Sequence, residues 1–284
     1  MSVGKVIIPT AGKGTRLRPW TYACPKAMLP LVDTQGRIRP VLHRILTEAA
    51  VAGIAQALLV VSPEQRELFE RYLTSVRQSA ADGLPDRVEM IVQPQPMGFG
   101  EAVLRAADWS APDAAVAVML GDHVYTHGPA APCLAQLVEA YARCGGAAMV
   151  AMQAVGTEDL SRVGVARGKP QPDRGRNVYL CEDIVEKPSE QTARERLITP
   201  GIGEDRFLAH AGLYVFSREI FDVLANAADS HGAGEIELSD AQTELLRRHP
   251  EDYRLLLLDG TGHDTGTPEQ YAETFKAFGS AGSH

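Results

Sequence analysis

The chain has 284 residues, a formal net charge of −8, 45% apolar residues and 23% charged residues. This length permits one large α/β domain with a substantial core. The acidic balance argues against nonspecific nucleic-acid binding, which needs a basic surface. No apolar run approaches the roughly 20 residues that cross a bilayer, and the start shows no signal-peptide pattern. We therefore expect a cytoplasmic protein that binds neither nucleic acid nor membranes.

The four cysteines indicate neither a metal site nor a disulfide framework. They are Cys24, Cys133, Cys144 and Cys181, and none of them belongs to a Cys-x-x-Cys pair. Cys24 sits inside the glycine-rich loop; the alternatives there are a reactive thiol and a loop filler, and a loop filler is expected.

Strand-length and helix-length segments alternate through the first half. Strands are predicted at 3–9, 56–61, 88–92, 114–120 and 147–155, and helices at 41–52, 63–79, 98–109 and 131–144. Such alternation indicates right-handed βαβ crossovers. It predicts a Rossmann-like three-layer α/β/α fold with a mostly parallel central sheet and with ligands at the carboxyl ends of the strands.

The second half is less regular. A hairpin is predicted from strands at 164–167 and 178–186 around a polar loop at 168–176. Further strands are expected at 207–216 and 254–258, helices at 219–227, 237–248 and 268–278, and a disordered tail at 279–284. No linker divides the chain, so residues 1–278 are expected to form one domain.

The segment after the first strand has the composition of a phosphate site. It reads Thr10-Ala11-Gly12-Lys13-Gly14-Thr15-Arg16-Leu17, and Lys26 follows nearby. Glycines let backbone N–H groups approach phosphate oxygens, and Arg16 and Lys26 can neutralise their charge. The segment lacks the Walker A spacing, and Leu17 occupies the third glycine position of the dinucleotide fingerprint. A Gly-x-Gly alone would equally suit a flexible surface loop.

Two aspartates could hold a hard cation. Asp122 ends a buried strand, where a carboxylate lies beside the ligand crevice, although a Gly-Asp pair is more often a cap or turn. Asp264 follows another apolar run, and it could equally serve the turn before a helix capped by Thr267. The two are far apart in the chain, and the sequence alone does not show that they meet.

Two further segments have both a functional and an ordinary interpretation. Glu186 and Lys187 lie at the end of a predicted strand in which apolar and polar residues alternate. They could form a solvated strand end or the edge of a cleft. Between Gln93 and Gly98, two prolines fix the loop, and glycines at a helix start leave N–H groups free for a base edge or a phosphate.

Together these motifs resemble the sugar-1-phosphate nucleotidyltransferases. The resemblance rests on Gly-x-Gly-Thr-Arg-Leu-x-Pro and Pro-Lys-x-x-Leu-Pro, and it extends from about residue 3 to about residue 278. The Gly-x-Gly-x-Ala-Val segment from Gly98 and the segment 234–241 are similar to those of bacterial UTP-glucose-1-phosphate uridylyltransferases. Departures from the family pattern are a longer loop at 34–40, His123 after Asp122, and the segment 197–206.

The resemblance implies a set of site residues and a division into a nucleotide-binding half, about 1–155, and a sugar-binding half, about 156–278. The implied catalytic residues are Arg16, Lys26, Asp122 and Lys187; the nucleotide would contact Ala11, Gly12, Gly14, Thr15, Gln93 and Gly98; the sugar would contact Gly164, Glu186, Lys187 and Ala211. Asp122 and Asp264 would hold Mg²⁺.

The implied reaction is uridylyl transfer from UTP to glucose 1-phosphate, giving UDP-glucose and pyrophosphate. Alternatives are the same chemistry with dTTP or another nucleotide, or with another sugar or cyclitol phosphate, and a noncatalytic paralogue that binds nucleotide sugars as a signal. A Rossmann dehydrogenase is disfavoured by Leu17. Related enzymes commonly form dimers or tetramers, so a homo-oligomer is expected.

Overall fold

The computed structural model describes residues 3–33, 35–78, 83–110, 114–231 and 234–280, without the side chains of 230, 231 and 280. The strands are β1 (Lys5–Pro9), β2 (Pro30–Val32), β3 (Ile38–Pro40), β4 (Gln56–Val61), β5 (Arg87–Val92), β6 (Val116–Met119), β7 (His123–Thr126), β8 (Ala148–Val155), β9 (Gly164–Pro170), β10 (Val178–Glu186), β11 (Phe207–Phe216), β12 (Tyr253–Leu257) and β13 (Thr261–Asp264). The α-helices are α1 (Val41–Val51), α2 (Pro63–Arg77), α3 (Phe99–Leu104), α4 (Cys133–Cys144), α5 (Glu190–Arg196), α6 (Glu219–His231), α7 (Leu238–Arg248) and α8 (Pro268–Ser280).

Nine strands form one central sheet in the order β5-β4-β1-β6-β11-β8-β12-β10-β9. At one end, β5, β4, β1 and β6 run parallel to one another. These strands read as nearly continuous apolar runs because helices cover both of their faces. The prediction of βαβ crossovers is confirmed for this part of the sheet.

The other end of the sheet is mixed, so the sheet as a whole has fewer parallel pairs than expected. Strand β11 runs antiparallel to β6, β8 and β9, and β10 runs antiparallel to β9 and β12, while β8 and β12 are parallel. The link from β9 to β10 is too short for the crossover that parallel neighbours require, so it forms a hairpin.

The core lies on both faces of the sheet, as a three-layer fold requires. Ile8 of β1 belongs to one apolar cluster together with Leu42 and Leu46 of α1. Ile7, the next residue along the strand, belongs to a second cluster with Ile220 of α6. Adjacent strand residues point to opposite faces, so β1 alone anchors both helical layers.

Several elements differ from the predictions. The short ribbons β2–β3 and β7–β13 and the helix α5 were not predicted, and α3 ends at Leu104 rather than near residue 109. Strand β9 extends through Pro170 into the predicted loop. Helix α8 extends to Ser280, two residues beyond its predicted end at residue 278. Residues 79 and 281–284 of the predicted helix and tail lie outside the described residues.

None of the helices in the described ranges combines the length and the apolar character that crossing a membrane requires.

Candidate active site

A cavity of about 510 Å³ lies at the carboxyl ends of β1 and β6. Ten of the predicted residues line it: Ala11, Gly12, Gly14, Thr15, Arg16, Lys26, Gln93, Gly98, Asp122 and Asp264. Ligands of open α/β sheets bind at this edge because strand-to-helix loops and backbone N–H groups converge there. The structure thus brings all six predicted nucleotide-binding residues to one cavity.

The glycine-rich loop folds closely around Lys26. Gly14 has a φ of 58°, a conformation that glycine adopts without strain, and its carbonyl accepts a hydrogen bond from the Thr21 hydroxyl (2.8 Å). A Cβ on Gly12 would lie 3.8 Å from Lys26 Nζ. Arg16 is exposed in a single 3₁₀ turn at the cavity wall. The loop therefore presents backbone and two cations to the same space.

Lys26 and Asp122 form an ion pair inside the cavity, with Nζ donating to Oδ2 at 2.5 Å. Burial raises the pKa of Asp122, but the charges of Lys26 and His123 and their hydrogen bonds outweigh it and hold that pKa well below the usual range. Burial likewise lowers the pKa of Lys26, and Asp122 more than offsets this effect, so the net pKa is raised. Both groups stay charged at neutral pH.

The ribbon of β7 and β13 brings Asp264 to Asp122, which the sequence alone could not show. His123 and Asp264 are register partners in this ribbon, and both Thr265 N (3.0 Å) and Thr265 Oγ1 (2.8 Å) donate to the Asp122 carbonyl. One ligand atom each from Asp122, His123 and Asp264 lies within 4.8 Å of the others. The two aspartates predicted to share a metal ion are therefore neighbours.

The space beside the two carboxylates fits a hard cation. A Cβ on Gly266 would lie 2.9 Å from Asp264 Oδ1 and 3.5 Å from Asp122 Oδ2, so glycine leaves a cradle next to both oxygens. Carboxylate oxygens are the ligands that Mg²⁺ prefers, and His123 adds a nitrogen at one side. The donor set is thus consistent with a divalent metal.

The loop from Gln93 to Gly98 is clamped against the segment before α7. Gly98 has a φ of 98°, and a Cβ there would lie 2.5 Å from the carbonyl oxygen of Ile236. Ile236 N donates to Met97 O (2.9 Å). Gln93 is buried, and its Nε2 donates to Gly98 O (3.2 Å) and Glu101 Oε2 (2.5 Å). These bonds leave the Gln93 Oε1 as the side-chain atom that can accept from a ligand.

A second cavity, of about 240 Å³, holds part of the predicted sugar site. Gly164 and Glu186 line it, and a Cβ on Gly164 would lie 2.8 Å from Glu186 Oε2. Lys187 and Ala211 do not line it. The Lys187 side chain is half exposed, 3.5 Å from Glu186 Oε1, on a backbone with φ of 47°, and buried Ala211 accepts from the Tyr125 hydroxyl through its carbonyl (2.9 Å).

The two cavities adjoin. Four residues line both of them, namely Phe99, Leu120, Glu237 and Asp264. Asp264, one of the two carboxylates predicted to bind a metal ion, therefore lies where the space lined by the glycine-rich loop meets the space lined by Gly164 and Glu186. This arrangement suits two ligands that meet at one charged point.

Several cavity residues were not predicted. His210 and Tyr214 come from β11, Gln242 from α7 and Glu237 from the residue before α7. Burial and the neighbouring acids Glu235 and Asp240 raise the pKa of Glu237. The resemblance of segment 234–241 to the uridylyltransferases is a sequence signal that could have pointed to Glu237. For His210 the signal is a polar side chain in the otherwise apolar run of β11.

The cysteines are all free, in agreement with the sequence. Burial raises the pKa of the Cys24 thiol, which disfavours the reactive thiolate.

Comparison with known proteins agrees with this geometry. The sequence profile of the nucleotidyl transferase family matches residues 5–280. A UTP-glucose-1-phosphate uridylyltransferase of Bacillus subtilis, YngB, is 33% identical over 282 residues, covering 93% of this chain and 85% of the relative. A Staphylococcus saprophyticus protein of the same name is 30% identical, covering 96% of this chain and 90% of the relative.

Solved structures show the same fold. A UDP-glucose pyrophosphorylase complexed with UDP-glucose superposes with a TM-score of 0.78 at 25% identity, over 98% of this chain and 99% of that one. The UTP-bound enzyme from Acinetobacter baumannii gives a TM-score of 0.76 at 25% identity, over 98% and 93% of the two chains. Sequence and fold agree, and the chain belongs to the nucleotidyl transferase family.

Proposed function

We propose that this protein transfers the uridylyl group of UTP to glucose 1-phosphate with the help of Mg²⁺, giving UDP-glucose and pyrophosphate. The observation that carries the proposal is the junction of the two cavities at Asp264, beside Asp122. A reaction that joins two phosphate-bearing substrates needs such a meeting point for their negative charges.

The larger cavity suits the nucleoside triphosphate. Backbone N–H groups at Gly12 and Gly14 would meet phosphate oxygens, while Arg16 and Lys26 would neutralise the leaving pyrophosphate. Ala11 and Thr15 would complete this wall. At the base, the N3–H donor of uracil matches the Gln93 Oε1 acceptor, because Nε2 is already bonded to Gly98 and Glu101.

Asp122 and Asp264 would hold the metal ion, which neutralises charge on the reacting phosphates when bound. Before substrates bind, Lys26 pairs with Asp122 and keeps that carboxylate ionised and ready as a ligand. The same ammonium lies against Gly12, close enough to move from the carboxylate towards a phosphate oxygen.

The smaller cavity suits the sugar. Glu186 and the backbone at Gly164 would accept from and donate to ring hydroxyls. Ala211 of β11 stays a predicted sugar contact. Lys187, on the turn that follows Glu186, would orient the sugar phosphate. A phosphate oxygen of glucose 1-phosphate then attacks the α-phosphorus in line, a new P–O bond forms, and the α–β bridging bond breaks with its electrons leaving on pyrophosphate. No protein nucleophile takes part.

The accompanying proposal is a cytoplasmic homo-oligomer, a dimer or a tetramer. Large apolar side chains are exposed at Trp20, Tyr22 and Ile38, and burying them between subunits would remove apolar surface from water. Light scattering on the purified protein tests the assembly.

A grid of nucleoside triphosphates and sugar phosphates tests the reaction. Purified protein with Mg²⁺ is given UTP, dTTP, ATP, CTP or GTP together with the 1-phosphates of glucose, galactose, mannose or N-acetylglucosamine, and pyrophosphate release and the nucleotide sugar are measured. UTP with glucose 1-phosphate is expected to be the best pair. Pyrophosphate release with no pair, or a clearly better rate with another pair, contradicts the proposal.

A further inference from the structure

His210 is placed at the sugar end of the cleft by an irregularity in β11. Its strand pairs with β8 up to His210, and the register then shifts before Tyr214, across Gly212 with a φ of 77°. Such bulges re-aim side chains relative to a regular strand. The imidazole reaches Gly164, where a Cβ would lie 3.1 Å from His210 Nδ1 and 2.8 Å from Glu186 Oε2.

The ring borders two spaces. His210 lines both the sugar-side cavity and a neighbouring cavity of about 630 Å³. His123, Arg162, Val163 and Asp264 also line both, so the two spaces meet along this wall. A sugar held against Gly164 and Glu186 would therefore touch the His210 ring.

The imidazole lacks the hydrogen bonding that a structural role would supply. Its Nε2 is buried and has no hydrogen-bond partner within the part of the chain that the structure describes. An apolar ring would fill the same volume without leaving a buried polar atom unpaired, so packing alone gives no reason for histidine here. The edge-to-face contact with Tyr214 would suit a phenyl ring equally well.

The His210 ring is also in a protonation state that suits hydrogen bonding to sugar hydroxyls. Burial lowers the pKa of His210 to about 4, so the imidazole is neutral at pH 7. A neutral imidazole offers one donor and one acceptor, as a hydroxyl does.

We infer that His210 is a specificity-determining residue, whose imidazole hydrogen-bonds a ring hydroxyl of the sugar phosphate and so selects among sugars. The inference rests on the proposed function, since it assigns the sugar to the cavity of Gly164 and Glu186.

Deoxy analogues locate the hydrogen bond. Wild-type protein is given UTP with glucose 1-phosphate or with its 2-, 3-, 4- or 6-deoxy analogue, and kcat/KM is measured for each. For the analogue that lacks the hydroxyl bonded by His210, kcat/KM is expected to be roughly tenfold lower than for glucose 1-phosphate. Other analogues lose kcat/KM only where another group binds the missing hydroxyl. In His210→Phe the His210-dependent loss is expected to shrink to about twofold, while the KM of UTP is unchanged.

Two further variants keep the outcome interpretable. His210→Asn, smaller and still polar, is expected to fold and to retain part of the discrimination, which covers the case that His210→Phe is unstable. His249→Phe is the matched control, because His249 pairs with Glu219 (2.6 Å) and lines none of the cavities described above. It is expected to keep the wild-type analogue profile.

An analogue profile that is the same in wild type and both His210 variants would overturn the inference, and so would a wild type that does not discriminate among the analogues. Absence of UDP-glucose formation by the wild type would instead contradict the proposed function.

Discussion

The two ends of the cleft, proposed for the nucleotide and for the sugar, differ in how much of their lining is backbone and how much is side chain. At the end proposed for the nucleotide, Gly12, Gly14 and Gly98 bring the main chain against the cavity, and the side chains of Arg16, Lys26 and Gln93 lie beside it. At the end proposed for the sugar, side chains from four strands (β7, β10, β11 and β13) and two helices (α3 and α7) line the cavity, with Glu186 and His210 among them. A backbone cradle suits phosphates, which every substrate of this chemistry carries, while side chains suit the hydroxyls in which sugars differ.

The largest expected effect lies where the two ends meet. Asp122→Asn removes a charge that faces Lys26 and the metal site, and kcat is expected to fall by at least about a hundredfold, because the loss is electrostatic and in the transition state. Pyrophosphate release and Mn²⁺ binding measure the two consequences, and circular dichroism checks the fold. Turnover near the wild-type level would remove Asp122 from the metal site.

Gly98→Ala tests the backbone construction of the nucleotide end. A Cβ would meet the Ile236 carbonyl at 2.5 Å on a backbone with a φ of 98°, so unfolding is expected to become easier by about 2 kcal/mol or more. The KM of UTP is expected to rise by roughly tenfold as the loop shifts.

Gly53→Ala is the matched control for that variant. Gly53 has a φ of 80° and open space around it, so the substitution is expected to cost about 1 kcal/mol of strain. The KM of UTP should not change. Equal rises in that KM for the two variants would show that the clash at Ile236 does not shape the nucleotide site.

Lys187→Ala tests the side-chain construction of the sugar end. Removal of the half-exposed ammonium is expected to raise the KM of glucose 1-phosphate by about tenfold and to change the KM of UTP less. Lys169→Ala, at an exposed position of β9, is the control and should change neither constant. Equal rises for both substrates would contradict the role given to Lys187.

The smallest effect concerns stability and pH. Because the pKa of folded His210 is about 4, below its ordinary value of 6.5, the unfolded chain binds the extra proton between these pH values. Stability from this group is therefore complete above about pH 6.5 and declines as pH falls towards 4. The free energy of unfolding is measured by urea titration at several pH values. Between pH 6.5 and pH 4 it should fall less for His210→Phe than for the wild type, by on the order of 1–3 kcal/mol in total. An unchanged slope would contradict the burial of the neutral ring.

The same division explains what the sequence could predict. Gly12, Gly14 and Arg16 lie within one short loop, so a shared role for them could be predicted from local spacing and strand-end geometry. The meeting of Asp122 and Asp264 depends on the ribbon of β7 and β13, two short strands that carry no strong local pattern. The hairpin of β9 and β10 was predicted, but the antiparallel pairing of β11 with β6, β8 and β9 was not. The convergence of His210 and Tyr214 with Gly164 and Glu186 could therefore not be derived from spacing.

Exchange of labelled pyrophosphate into UTP tests the central claim most directly, namely that both substrates occupy the joined cavities and react without a covalent enzyme intermediate. With Mg²⁺ present, radioactive pyrophosphate is incubated with UTP and the protein, with and without glucose 1-phosphate. We expect label in UTP only when glucose 1-phosphate is present. Label in UTP without the sugar phosphate would demonstrate a uridylyl-enzyme intermediate, and no exchange under either condition would contradict the reaction itself.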